Sequence, residues 1–355
     1  MLKNKISTYM EIEYLQLIKI DHENNCVVVE QIAEEGNVRD YVMAIIEQIS
    51  ENVGDREYRF KAEEMTMRSR LNNLVLNVNR DDQSLSIANR LLSKENEAQE
   101  RYNRITEIQK GILLIGFCKM TDTEYKVVIC KADYTEFIEE ATGQKRNGLP
   151  TKKKIFKSFC GNVTLNAGVH TFGKLVTYDV NSNQAKYWYC DFLDLEVCLD
   201  DTENTKKAFG FINSKILEPL RSNHPHEHLR LWNMTVGYMR SEGEFSIDHY
   251  ADNILGTYQP EDGLDMAPLV RKAKELPSKW GFDNRFNKVP TAITSKFKQE
   301  YKLTDDIKLT LTNHIQNLGR TIKSYIDDEE NKYIMIKSEE GYRLANSIHH
   351  AGADQ

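Results

Sequence analysis

The chain has 355 residues, with 47 Lys+Arg against 54 Asp+Glu and a formal net charge of −7. Its 40% hydrophobic content, with only 18 Gly and 7 Pro, excludes a disordered tail, a collagen-like chain and a disulfide-stapled secreted module. The acidic total also argues, at first sight, against a nucleic-acid binder, whose footprint is usually basic.

From the N-terminus, the first 30 residues read as a β-hairpin. Tyr14, Leu15, Leu17, Ile18 and Ile20 lead into the polar turn 21–25 (DHENN), and 26–29 form the return strand. Val38, Tyr41, Val42, Ile45, Ile46 and Ile49 then fall on one stripe of a 3.6-residue period, an amphipathic helix with Asn37 as its N-cap. A short strand is expected at 57–61 and helices at 62–78 and 84–109, the latter with Leu85, Ala88, Leu91, Ala98, Tyr102 and Ile105 on its apolar face. Two long strands, 111–119 and 124–131, flank the turn 121–123. A second strand pair is expected at 172–180 and 185–195, joined through 181–183 (NSN). Successive hairpins of this kind point to an antiparallel sheet.

Beyond about residue 202 the period changes to that of helices. Ala208, Phe209, Ile212, Ile216 and Leu220 mark one, Leu229, Trp232, Val236 and Met239 the next, and 245–256 and 264–275 give two more. Strands return at 307–312, 320–326 and 332–337, the last two joined by 327–331 (DDEEN). The fold class is therefore α+β. Residues 1–200 form an N-terminal domain with an antiparallel sheet and amphipathic helices, and 201–355 a mainly helical C-terminal domain ending in a β-hairpin.

The longest apolar run, 111–118 (GILLIGFC), is far short of the roughly 20 residues of a membrane span, and the N-terminus lacks a signal-peptide core. Six cysteines are scattered without a CxxC pair, and Cys118 and Cys130 lie in strand-like apolar runs, where cysteine acts as a small hydrophobe. A cytoplasmic, reducing setting follows.

No P-loop, GxGxxG, GxSxG or HExxH motif is present. His224, His226 and His228, in 223–228 (NHPHEH), are read as a solvated inter-helix turn because Pro225 breaks a helix. Glu124 and Lys126, with Asp122 before them, have the E-x-K spacing of Mg²⁺-dependent nucleases, but an exposed antiparallel strand gives the same pattern. Asp191, Asp194 and Glu196 form another acidic cluster, of which Asp194 and Glu196 are read as the polar face of a strand. No catalytic residue, cofactor or metal ligand is assigned.

Charge distribution is more informative. Residues 141–178 hold no acidic residue and seven basic ones: Lys145, Arg146, Lys152, Lys153, Lys154, Lys157 and Lys174. Gly143, Gly148 and Pro150 make the start of this stretch loop-like, so the segment 145–157 (KRNGLPTKKKIFK) is expected to project as a mobile basic loop suited to phosphate contacts. A second stretch, 266–302, nets +6. The remainder must then carry −20, an acidic body with two basic patches.

The opening EYLQLIKIDHENNCVVV, the GILLIGFCKM…EYKVVIC hairpin, KYWYCDFLDLE and the ending IKLTLTNHIQNLGRTIKSYIDDEENKYIMIK, with Leu318, Gly319 and Arg320 before the last hairpin, resemble the bacterial nucleoid-associated protein family (NdpA-like). That resemblance implies a cytoplasmic, nucleoid-located protein binding double-stranded DNA with little sequence preference, and it carries over no catalytic residue. The expected partners are duplex DNA and a second copy in a homodimer, with no membrane. Two alternatives stay open: an anti-phage defence component sensing DNA or a partner protein, and the Mg²⁺-dependent nuclease.

Overall fold

In a computed structural model of the chain, residues 10–31, 37–51, 56–62, 66–101, 111–133, 135–138, 145–148, 157–179 and 185–351 are described. The fold is α+β. The chain divides into two compact units, Met1–Cys198 and Leu199–Gln355.

The first unit opens with the hairpin β1 (Glu11–Asp21) and β2 (Cys26–Glu30), followed by α1 (Asn37–Glu51), β3 (Glu57–Phe60), α2 (Thr66–Val75) and α3 (Arg80–Arg101). The strands β4 (Gly111–Lys119) and β5 (Glu124–Asp133) come next. A small ribbon of β6 (Thr135–Ile138) and β7 (Lys145–Gly148) precedes the long strands β8 (Lys157–Asn166) and β9 (Val169–Asp179), and β10 (Leu195–Val197) closes the unit. Eight strands form one sheet in the order β10-β3-β9-β8-β5-β4-β1-β2, and its pairings are all antiparallel.

Both faces of this sheet are covered, which explains why β4 is apolar without alternation. Leu113, Ile115 and Phe117 point to the side packed by Leu71 and Leu74 of α2 and Ile87 and Leu91 of α3. Ile112, Leu114 and Cys118 point to the other side, against Val42, Ile45, Ile46 and Ile49 of α1. Cys118 and Cys160 sit inside this second layer; burial pushes the Cys118 thiol up to about 12 and that of Cys160 to about 11. They are packing residues, not nucleophiles.

One expectation fails here. Residues 185–195 do not pair with β9. Tyr187–Phe192 is a π-helix, and the neighbours of β9 are β3 and β8, the latter a strand that the sequence reading does not assign and of which it places only Lys157 in the loop. The aromatic run has strand propensity, but the rings of Trp188 and Phe192, one turn apart, meet at a tilt with centroids 5.0 Å apart and are both buried. Helical spacing of these two buried rings outweighs the propensity. Asp194 and Glu196 are likewise not one solvated face. Asp194 is buried, adopts φ 54°, accepts from Arg90 at 2.5 Å and caps the start of α2 through the Met67 amide at 3.1 Å. Glu196 pairs with Arg59 across the sheet edge at 2.8 Å.

The second unit has its own core. Its α4 (Asp201–Ile212) is capped by Asp200, whose side chain accepts from the Glu203 amide at 2.7 Å, and runs through π-helical 213–217 and a 3₁₀ turn to Leu220. After α5 (Pro225–Arg240), a strand β11 (Glu244–Ser246), a single turn α6 (Ile247–His249) and π-helical 250–255 lead to α7 (Met266–Trp280). Gly281, at φ 65°, ends α7 in the left-handed conformation that glycine adopts without strain. The strand β12 (Arg285–Asn287) pairs with β11, and β13 (Gln299–Lys302) with β14 (Lys308–Leu311). A short α8 (Leu318–Thr321) precedes the hairpin β15 (Ile322–Ile326) and β16 (Lys332–Ile336), and α9 (Glu339–Ala351) comes last. Phe209, Ile212, Trp232, Val236, Tyr250 and Phe297 are among the fully buried residues between these elements.

Pro225 is the first residue of α5, where its missing N–H costs nothing, so 225–228 starts a helix, and the exposed inter-helix turn lies just before it at 221–223.

Candidate nucleic-acid interface

The first part of the basic stretch, 141–156, lies in an insertion between two central strands, and the rest of it forms β8 and most of β9. β5 and β8 pair antiparallel up to Lys131 opposite Lys157, and the chain between them leaves the sheet from that end. Within it, Thr135 pairs with Gly148, Phe137 with Arg146 and Ile138 with Lys145, so Lys145 and Arg146 lie on one strand of a two-stranded ribbon. Lys152, Lys153 and Lys154 fall outside the described residues.

Lys157 departs from the expected loop. It is the first residue of β8, and its ammonium makes a 2.6 Å ion pair with Asp179, at side-chain exposures of 11% and 1%. Asp179 also accepts from the Ala185 amide at 3.0 Å, and the Lys157 ammonium lies 5.6 Å over the Tyr187 ring. A lysine held this way is not presented to a phosphate. Lys174 is half-buried in β9.

The opposing lysine, Lys131, is neutralised in the same manner. Its Nζ donates to Glu95 Oε1 at 2.7 Å, with side-chain exposures of 3% and 0%. His22 Nε2 meets Glu95 Oε2 at 2.9 Å, and Tyr187 Oη reaches Oε1 at 3.4 Å. Burial works to raise the Glu95 carboxyl, but the Lys131 charge and the His22 hydrogen bond outweigh it, and the net result lies below the ordinary carboxylate range. Two lysines directly opposite on adjacent strands would repel. Here each has its own buried carboxylate, so the root of the ribbon is electrically balanced, and losing any one member leaves a buried charge exposed to no solvent.

The sequence reading does not single out Glu95, Asp179 or Tyr187. A signal exists for Glu95, which interrupts the apolar stripe of α3 between Leu91 and Ala98, and for Lys131, which comes directly after the apolar run of β5. Asp179 carries no such signal.

The second basic stretch is partly neutralised. Lys274 pairs with Asp252 at 2.8 Å, Lys279 with Glu275 at 2.6 Å, Lys298 with Glu300 at 2.8 Å, Lys302 with Asp305 at 2.5 Å and Arg285 with Glu244 at 3.6 Å. Folding brings Asp252 and Glu244 from other segments to two of these cations, while Glu275, Glu300 and Asp305 are near neighbours in the sequence of the cations they pair with. An open polar cleft of about 470 Å³, lined in part by Tyr238, Ser241, His249, Arg285 and Lys288, lies among them. Lys288 donates to Ser241 Oγ at 2.6 Å and to the Tyr238 carbonyl at 3.0 Å, while Ser241 itself donates to that carbonyl at 2.8 Å. Burial lowers the Lys288 ammonium. With both groups donating to acceptors at the C-terminal end of α5, the pair closes a helix end and is not arranged as a base and its nucleophile.

The remaining motifs do not converge. Glu124 is exposed at a turn, Asp122 pairs with Lys119 at 3.1 Å, and Lys126 is half-buried. Among the described residues no group of three or more His, Cys, Asp or Glu stands close enough to hold a metal ion. His224 is bound to Asp262 at 2.6 Å, His226 is exposed and His228 is buried with an unpartnered Nε2. Among the described residues no helix is long and apolar enough to cross a membrane.

Compared with known proteins, the sequence matches no family model and no curated protein.

Proposed function

We propose that this chain is a nucleoid-associated protein that binds double-stranded DNA with little sequence preference, through the β6–β7 ribbon and the basic segment after it. The observation that carries this reading is the placement of the acid-free stretch. Its first part, 141–156, lies in the 134–156 insertion between two central strands of the sheet, where Lys145, Arg146, Lys152, Lys153 and Lys154 follow Glu136, Glu139 and Glu140, on a root whose own lysines are neutralised. With Lys157 withdrawn into that root, Lys145, Arg146, Lys152, Lys153 and Lys154 supply the phosphate contacts. A two-stranded ribbon has the width to enter a major groove, and backbone contacts of this type give affinity without sequence readout. The similarity to the NdpA-like family supports the same reading and, with it, a location in the cytoplasm at the nucleoid.

The test is a mobility-shift series with duplex DNA across salt concentrations. Each neutralised phosphate contributes about −0.9 to the slope of log K against log salt. Replacing Lys152, Lys153 and Lys154 with Glu should therefore flatten the slope by about 2 to 3 and weaken binding to all duplex sequences alike. Unchanged affinity and slope would overturn the assignment.

A further inference from the structure

The open polar cleft of about 470 Å³ at the C-terminal end of α5 gathers basic and donor groups from both strands of the β11–β12 ribbon and from the helices beside it. Phe245 pairs with Phe286, and both are buried. Side chains alternate along a strand, so Glu244, Ser246 and Arg285, the last two directly opposite each other, fall on the outer face. Lys288 follows β12, its amide donating to the Gly243 carbonyl at 3.0 Å. Its ammonium lies 4.4 Å over the Tyr238 ring. His249 of α6 stacks on the same ring, with centroids 5.6 Å apart. Arg285, Lys288 and His249 thus line one cleft.

The two oxygens that accept from the Lys288 ammonium, Ser241 Oγ and the Tyr238 carbonyl, are both neutral, and among the described residues Lys288 forms no ion pair. Burial lowers its affinity for the proton, and no carboxylate offsets that effect. An ammonium has three donors, so one N–H is left for a ligand. His249 Nδ1 faces the Asn253 side-chain nitrogen at 3.1 Å. That nitrogen only donates, so Nδ1 accepts and Nε2 of the neutral ring carries the proton. Among the described residues Glu244 is the one carboxylate lining the cleft, and it stands 3.6 Å from Arg285. Two cations and a third donor therefore face a single acid. We propose that this cleft binds the phosphoryl group of a small phosphorylated molecule. A phosphomonoester brings close to two negative charges and three strong acceptor oxygens, one for each of Arg285, Lys288 and His249, where a carboxylate has two oxygens and one charge. The volume falls in the range of small-molecule sites, so the organic part has room beside the phosphoryl group. This site belongs to the second unit and does not depend on the DNA-binding reading of the ribbon in the first.

The experiment is calorimetric titration of the full chain with inorganic phosphate, with acetate at matched ionic strength as the comparison anion. One site is expected, with a dissociation constant of about 1 mM from two or three charge-assisted hydrogen bonds, and acetate should bind about tenfold more weakly or less. Lys288→Met should weaken phosphate binding by about tenfold or more. His249→Phe keeps a ring against Tyr238 but removes the Nε2 donor, and should weaken binding by about threefold or more. Far-UV circular dichroism checks that each variant folds; if Lys288→Met does not, His249→Phe decides. No saturable phosphate binding up to about 20 mM, acetate binding as tight as phosphate, or folded variants that bind like the parent would each overturn the proposal. Duplex DNA supplies the remaining arm. If it displaces phosphate, and Lys288→Met weakens DNA binding, the cleft is a contact for the nucleic-acid backbone and the small-molecule proposal is overturned. Replacing Lys152, Lys153 and Lys154 with Glu should leave phosphate binding at the parent value, so this proposal and the DNA-binding reading fail separately.

Discussion

Replacing Lys157 separates a structural lysine from a DNA-binding one. The ammonium of Lys157 faces a carboxylate whose side chain is only 1% exposed. Lys157→Met would strand that carboxylate in the sheet, with the Ala185 amide as a remaining donor. Removing one member of a buried pair costs about 3–5 kcal/mol, which is roughly two to four orders of magnitude in an opening equilibrium. Hydrogen exchange of the β8 and β9 amides, measured by mass spectrometry, reads that equilibrium for the first unit alone. Protection should fall by this factor in Lys157→Met. It should recover most of the loss in Lys157→Met with Asp179→Leu, because an apolar pair of similar volume needs no compensating charge. Duplex DNA binding of the folded Lys157→Met chain should keep the parent salt slope. A loss of protection below about tenfold, together with a flatter salt slope, would refute the burial argument and return Lys157 to the interface.

The same packing sets three further outcomes. Glu95 is held below its ordinary value when folded, so its stabilisation is complete above the unfolded value of about 4.3 and is lost as pH falls through the folded value; exchange from β1, β5 and α3 should accelerate in that acid range, and Glu95→Gln should flatten the response. His228 is shifted the same way by burial, which disfavours its charged form; the second unit should lose stability as pH drops below about 6.5, where the unfolded chain binds the proton more readily, and His228→Phe should remove that dependence in an acid denaturation series. Gly256 ends the π-helix at 250–255, and a Cβ there would lie 2.6 Å from the Asp252 carbonyl oxygen; because the obstacle is backbone, Gly256→Ala should cost about 1–3 kcal/mol in thermal or denaturant unfolding.

Much of the fold is legible in the sequence where a single period dominates. The Val42, Ile45, Ile46 and Ile49 stripe gives α1, and the uninterrupted apolar run of β4 marks a strand buried on both faces. Reading fails where two signals compete. The stretch 157–166 (KSFCGNVTLN) is rich in polar and small residues, and nothing local shows that Lys157, Ser158 and Cys160 are buried. Only long-range pairing with β5 and β9 makes it a central strand. At 187–192 the aromatic composition suggests a strand, and the i, i+4 contact between Trp188 and Phe192 decides for a helix. A proline such as Pro225 can break a helix or start one, and the downstream stripe of Leu231, Trp232 and Val236, buried in the core of the second unit, makes it a start.

The candidate interface shows why charge counted along a sequence overstates what a surface offers. Six of the seven cations in the acid-free stretch, Lys145 to Lys157, read as one projecting loop. Folding assigns them different work, because the strand that begins at Lys157 must satisfy its buried ammonium from wherever the chain supplies a carboxylate, and Asp179 at the end of the neighbouring strand does so. The same demand at Lys131 recruits Glu95 from a helix on the sheet face. Buried ion pairs add little net stability against an apolar alternative but penalise misregister heavily. A slip of one residue between β5 and β8 would turn Lys131 and Lys157 away from their partners. The two pairs therefore fix the register from which the β6–β7 ribbon departs. On the function proposed above, a ribbon that departs from a fixed register would need less ordering on meeting a duplex and would retain more of its contact energy as affinity.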